Sequence, residues 1–303
     1  MVLSTRSVKC LTWNIENIWR NIYSLKHIID IEQPEFAFLN EVQLYQCDKN
    51  EVMEAFKGEY CFSLNSEDIF EPDLCLNTNR AKGGTMILWR RILNQDVTVL
   101  PTKTASFLAL RYHPFGSPGS VHIALYLPTS GKEYEFVRDI TALGNFVEEV
   151  IEANPTDLIY IRGDSNVNKN HSTRVKMLNN FLHEQNLLRI PINHTTYHHF
   201  LGDGLYDSNI DVILQTDDEN DREEVLKLYC NKKYPIINSH HDVIISVARI
   251  PVKNMKVPVV ESTAPVVANN RKKIIWNPED IPSYQMAISD NLKNLRRRWM
   301  NPD

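Results

Sequence analysis

Six places along the 303-residue chain put proton-transferring or metal-binding side chains where predicted strands end. They are Asn14 in TWNIEN, Glu41 in LNEVQ, Tyr126 in ALYLP, Asp164 with Asn166 in IRGDSNVN, Asp211 in SNIDVIL, and His240 with His241 in SHHDV. Strand-end loops are where a rigid sheet can aim such groups at one point. Singly, each has a plainer reading. An Asn after a strand is a common turn residue, and RGDSN reads equally well as an Asx turn ahead of a helix. An unpaired carboxylate such as Glu41 is expensive to bury beside an apolar strand, and a salt bridge explains it as well as a metal does. Asp211 is the oddest, because Asp is depleted in strands. It needs a partner, and a histidine from SHH would serve. No Cys or Glu lies at zinc-motif spacing from the two histidines.

The elements that must carry these residues follow from hydrophobic spacing. Alternation or apolar runs predict strands over 7–13, 35–42, 83–89, 106–113, 120–128, 158–166, 209–215 and 242–249. Apolar residues three and four apart predict helices over 18–31, 135–153 and 173–185, the first stopped by Pro34. Many strands with few helices between them make an α/β (α+β) domain whose core lies largely between sheets. The acidic stretch Asp217–Glu224 reads as a solvated loop.

Composition changes near Pro251. Residues 1–250 form the expected catalytic domain, and a Pro- and Val-rich segment without period, 251–275, reads as an extended linker. Over 276–303 an apolar stripe (Ile281, Tyr284, Ile288, Leu292, Leu295, Trp299) predicts an amphipathic, basic C-terminal helix, capped by Asn277 with Pro278 in its first turn. It either docks back on the domain or meets a partner.

The net charge is −5, with 43% hydrophobic residues, so a sizeable core is available. From Asn254 onward eight Lys/Arg face five acids, a net +3 that leaves −8 on the first 253 residues. An acidic body argues against coating nucleic acid by bulk charge and would need metal cations to approach a phosphodiester. Five cysteines, odd in number and without C-x-x-C spacing, read as reduced thiols of an intracellular protein. No stretch approaches the roughly 20 apolar residues of a membrane span, so no membrane partner is expected.

The order of the six places is more specific than any one of them. Trp13-Asn14, Asn40-Glu41, Gly163-Asp164-Ser165-Asn166 and Ser239-His240-His241, with the Gly83-Gly84 pair before a strand, resemble the W-N-x, N-E, G-D-x-N and S-D-H motifs of the endonuclease/exonuclease/phosphatase superfamily. The resemblance runs from about Val8 to Val247. RGDSNVN, NHTTYHHFLGDGLYDSNIDVIL, SHHDV and the tail IIWNPEDIPSYQ further resemble the endonucleases of metazoan non-LTR retrotransposons. This resemblance implies a DNase I-like four-layer sandwich of two mixed β-sheets flanked by helices. It implies Mg²⁺, with Mn²⁺ as the alternative, and DNA as partner. It also implies a place of action in the nucleus and, in such elements, a downstream reverse transcriptase domain. By the same resemblance Glu41 holds the metal, and Asn14 fixes the carboxylates and metal. Asp164 orients or deprotonates the attacking water, and Asn166 and Tyr126 donate to phosphate oxygens. His241, oriented by Asp211, is a phosphate clamp or a proton carrier.

There is one departure. His240 stands where the family has Asp, so one carboxylate is missing. Either His240 ligates the metal and shifts preference toward Mn²⁺, or Asp242, on the same face of an extended segment, replaces the lost group. A phosphatase or RNA phosphodiesterase of the same superfamily, and a catalytically silent nucleic-acid-binding domain, are the rival functions.

Overall fold

Alternation within each strand divides its residues between two cores. In β1 (Ser4–Asn14), Val8 and Cys10 turn one way while Leu11 and Trp13 turn the other. Strand β2 (Phe36–Asn40) repeats this, with Phe36 and Phe38 joining the first set and Ala37 and Leu39 the second. Ile18, Leu25, Ile28 and Ile29 of helix α1 (Ile18–Glu32) cover the second set. The helix ends at Gln33, which takes a left-handed conformation just before Pro34.

The computed structural model describes residues 4–56, 58–66, 81–114, 118–201, 204–217, 223–230 and 237–252. One six-stranded sheet has the order β13 (Glu224–Tyr229), β14 (Val243–Val252), β1, β2, β4 (Thr85–Arg90), β3 (Tyr60–Asn65). The other has the order β5 (Val97–Leu100), β6 (Phe107–Tyr112), β7 (Ser120–Tyr126), β8 (Leu158–Asp164), β12 (Asp211–Thr216), β9 (Leu187–Arg189). Both are mixed, with β1–β2 and β7–β8 parallel. Helices α3 (Glu133–Ala153) and α4 (Ser172–Glu184) lay Phe136, Leu143, Leu178 and Phe181 on the outer face of the second sheet, against Ile123, Ile161 and Val212. Between the sheets, Val8, Phe36, Phe38 and Ile87 meet Leu108, Leu110, Tyr112 and Ala124. The layers run helix, sheet, sheet, helix, which is the DNase I-like sandwich expected. A two-stranded ribbon, β10 (Tyr197–Leu201) with β11 (Gly204–Ser208), a short helix α2 (Lys49–Ala55) and two single-turn 3-10 helices (Gln46–Asp48 and Arg91–Leu93) complete the described elements.

Two expectations change. The acidic stretch expected as a solvated loop contains Glu223, which is buried. Its carboxylate takes a bidentate pair from Arg162 at 2.9 and 2.7 Å and a further bond from Ser246. A carboxylate that pairs a buried guanidinium belongs inside, whatever the charge of its neighbours. Strand β14 also runs on to Val252, two residues into the expected linker. The rest of the linker and the C-terminal helix lie outside the described residues. Among the described residues no helix is long and apolar enough to cross a membrane.

Candidate active site

Strand register brings the predicted residues to one edge of the sandwich. In the first sheet Asn14 lies beside Asn40, the residue before Glu41. In the second, Tyr126 and Asp211 flank Asp164 on either side. Strand β14 runs antiparallel to β1, so the segment leading into it delivers Ser239, His240 and His241 to the same edge.

Two side chains tie the sheets together there. Asn14 Nδ2 donates to Asp164 Oδ2 at 3.0 Å, and Asn40 Nδ2 donates to the Leu125 carbonyl at 2.9 Å. Gly163 makes that approach possible. Its φ is +144°, and a Cβ would fall 2.0 Å from the Leu125 carbonyl oxygen and 2.8 Å from Asn40 Oδ1. Glu16, Glu41 and Asn166 are all non-glycine residues with φ of 44–49°. Such strained positions persist only where the surroundings over-determine them, and they gather at functional sites. The Glu41 turn is held from behind by Gly83 and Gly84, whose carbonyls accept from Gln43 N–H (3.0 Å) and Val42 N–H (3.3 Å).

The Asp164, Asp211 and His241 cluster is buried. Asp164 accepts from Asn14 and, at 2.8 Å, from the Asn166 backbone N–H. His241 Nδ1 lies 3.0 and 3.2 Å from the two Asp211 oxygens, and its Nε2 lies 3.8 Å from Asp164 Oδ2. Burial, reinforced by the Asp211 charge and opposed by His241, pushes Asp164 up to about 7. Burial disfavours the His241 charge, but Asp211, through charge and hydrogen bond, and then Asp164 outweigh it and raise that pKa to about 10. Two carboxylates thus share one imidazolium.

Glu16, Glu41, Asp164, Asn166 and His241 line one cavity of about 260 Å³, with Tyr197 and Tyr206 in its wall. Tyr126 reaches the site indirectly: its hydroxyl donates to Glu41 Oε1 at 2.5 Å, and its ring lines an adjoining cavity with Ser106 and Lys132. Asn166 Nδ2 donates to the Leu127 carbonyl at 2.7 Å.

Glu16 is the acid that sequence reasoning passed over, although it stands two residues after Asn14 in TWNIEN. His240 binds it, through Nδ1 at 2.9 Å and the backbone N–H at 3.0 Å. The site therefore has a carboxylate beside the residue where the family's Asp is missing. Asp242 cannot play that part. The chain bends at Ser239 and His240, so the shared face of an extended segment is lost. Asp242 points instead to His198, 3.2 Å away, and lines a different cavity. Carboxylate oxygens of Glu16, Glu41 and Asp164 with one imidazolium as counter-charge are a hard, electron-rich donor set, which fits Mg²⁺ or Mn²⁺.

The fold is that of the endonuclease/exonuclease/phosphatase superfamily. Among solved structures, the endonuclease domain of TRAS1, a telomere-specific non-LTR retrotransposon, superposes with a TM-score of 0.59 at 12% identity, over 80% of this chain and 98% of that one. The apurinic-site endonuclease LMAP from Leishmania major gives 0.62 at 12% identity, over 81% and 89%. TDP2 from D. rerio, solved with a single-strand DNA product, gives 0.55 at 13%, over 80% and 98%. At these identities the likeness is one of fold. No protein-family profile and no curated protein sequence matches the chain.

Proposed function

We propose that the chain is a divalent-metal-dependent phosphodiesterase that nicks DNA, acting in the nucleus as the endonuclease of a non-LTR retrotransposon. The observation that carries this is the buried Asp164–His241–Asp211 centre opening onto the same cavity as Glu16 and Glu41. Glu41 and Glu16 would hold the cation, with His240 steadying Glu16. When bound, the metal supplies positive charge that neutralises the phosphate and eases departure of the leaving oxygen.

The chain's own residues account for the rest. Asp164, at the cavity wall with its oxygens held in place, takes a proton from the attacking water. Asn14 and the Asn166 N–H hold its two oxygens in place. His241 keeps its proton, so it acts as a phosphate clamp rather than a base. At 3.8 Å its Nε2–H is too far from Asp164 for a hydrogen bond and can turn to a phosphate oxygen. Asp211 fixes the ring. Tyr126 orients Glu41, and Asn14, which donates to Asp164 and accepts from the Glu16 backbone N–H, would organise the metal side as well. The DNA substrate and the retrotransposon setting are supported by the sequence motifs and by the likeness to the TRAS1 domain and to TDP2 with its DNA product.

The test is nicking of supercoiled plasmid with Mg²⁺, with Mn²⁺ and with EDTA. Open-circle product that needs the cation is the expected result. Intact plasmid with phosphate released from a monoester would move the assignment to a phosphatase. Binding of DNA without either product would make the chain a silent binding domain.

A further inference from the structure

His241 and Asp242 are neighbours that face opposite ways. His241 serves the cleft; Asp242 is buried against His198, with its Oδ2 3.2 Å from His198 Nε2. Cys230 Sγ lies 4.0 Å from the same nitrogen. The three donor atoms fall within 4.8 Å of one another. They come from distant segments: His198 from β10, Cys230 from just after β13, and Asp242 from just before β14. All three line a cavity of about 710 Å³ that His194 also lines.

We propose that His198, Cys230 and Asp242 form a structural zinc site, separate from the catalytic cation. Zinc takes thiolate, imidazole and carboxylate together, whereas Mg²⁺ does not take thiolate. Tetrahedral geometry at ordinary Zn²⁺ bond lengths puts N and O donors about 3.4 Å apart and N and S donors about 3.6 Å apart. The observed 3.2 and 4.0 Å straddle those separations, so small side-chain shifts suffice. The second observation is Asp207, whose Oδ1 lies 2.7 Å from His198 Nδ1. A carboxylate on the far nitrogen sets the tautomer that metal-bound histidines use, with Nδ1 protonated and the Nε2 lone pair aimed at the ion. In that tautomer a lone pair would face the Asp242 carboxylate, an arrangement that a cation between them relieves. The fourth position opens to the cavity.

The site would hold the β10–β11 ribbon and the end of β13 to the segment that carries the catalytic histidine. That seam already has backbone bonds from His198 N–H to the His240 carbonyl (2.9 Å) and from Asp242 N–H to the Thr196 carbonyl (2.7 Å).

The experiment reads metal binding, not nicking. The full chain, stripped with chelator and held in excess Mg²⁺, is titrated with Zn²⁺, and in parallel with Co²⁺ while thiolate-to-cobalt charge-transfer absorption is recorded. One Zn²⁺ per chain, a thiolate band, and a rise in Tm are expected. Cys230→Ser should abolish the band. His198→Gln should weaken Zn²⁺ binding by more than the roughly 10–100-fold expected of the outer-shell variant Asp207→Asn. Glu41→Gln should bind Zn²⁺ as the wild type does. A wild-type protein without the thiolate band overturns the proposal, with no variant needing to fold. So does wild-type Zn²⁺ affinity in Cys230→Ser and His198→Gln; His198 then serves only as a hydrogen-bonded bridge between Asp207 and Asp242.

Discussion

Arg162 and Asp164 stand two residues apart on β8, both buried, and they live in opposite electrostatic conditions. Arg162 is matched. Its guanidinium pairs with Glu223, lies over the rings of Phe38 and Tyr160, and donates to His122 Nδ1 at 3.1 Å. Burial, helped by Arg162, holds the His122 pKa well below the usual imidazole range, so the neutral ring can accept there and donate to Ser120 (2.8 Å). Asp164 is left short: it shares one imidazolium with Asp211 and faces Glu16 and Glu41 across the cavity. Two residues along one strand separate a closed, charge-matched network from one whose carboxylates outnumber their counter-charge at the wall of a cavity. Balanced buried charge needs no ligand, though losing either partner is costly; unbalanced buried charge opening to a cavity is the usual mark of a functional site.

The contrast breaks most sharply at Arg162. Arg162→Met strands Glu223 in the inter-sheet core and should cost about 3–5 kcal/mol of stability, whereas Arg162→Met with Glu223→Leu should recover most of it. Urea unfolding of the two variants checks this, and equal losses would mean the pair is not a closed unit. At the open end the order reverses, with activity lost and fold kept. Glu41→Ala, Asp164→Ala and His241→Ala should each lower plasmid nicking at least about a hundredfold, the usual scale for a positioned acid–base group. Melting should change little for the two acids, since truncation relieves repulsion. A mutant with wild-type rates and unchanged melting removes that residue from the site.

The pH dependence sharpens the same comparison. Asp164, raised from 3.8 to about 7, binds its proton more tightly when folded, so its contribution to metal-free stability falls as pH rises from about 4 to 7. His241, raised from 6.5 to about 10, contributes stability that is complete below about 6.5 and is lost as pH climbs through 10. Both slopes run downward. Mg²⁺ stabilises the ionised carboxylates, so the Tm increment on adding it should be larger at pH 8 than at pH 5. A cation effect independent of pH would place the ion away from Asp164.

The smallest effect expected is at His240, which touches the site through Glu16. His240→Ala should lower nicking several-fold, and Glu16→Gln should lower it more. The ratio of Mn²⁺ to Mg²⁺ rates should be nearly the same in His240→Asp as in the wild type. A ratio that collapses in His240→Asp would instead make the imidazole a direct metal ligand.

Local features were legible in the residues alone. Alternation or apolar runs marked β1, β6 and β7, whose two faces enter two cores, and three- and four-residue spacing marked α1, α3 and α4, each of which buries one face. The motif residues Asn14, Glu41, Asp164, Asp211 and His241 were legible because their order along the chain resembles a known set of motifs. Strands β3, β5 and β13 left no such trace: they lie on or next to sheet edges, with half-exposed residues and no clean period. Tertiary structure alone decided the partnerships. Glu223 reads as one acid in an acidic stretch until Arg162, 61 residues away, is beside it. Glu16 becomes a site residue only when His240, 224 residues later, closes on it. Asp242 leaves the cleft because the chain bends at Ser239 and His240. The charge, proton affinity and accessibility of a side chain depend on neighbours within a few ångströms, and in this fold those neighbours come from opposite ends of the chain.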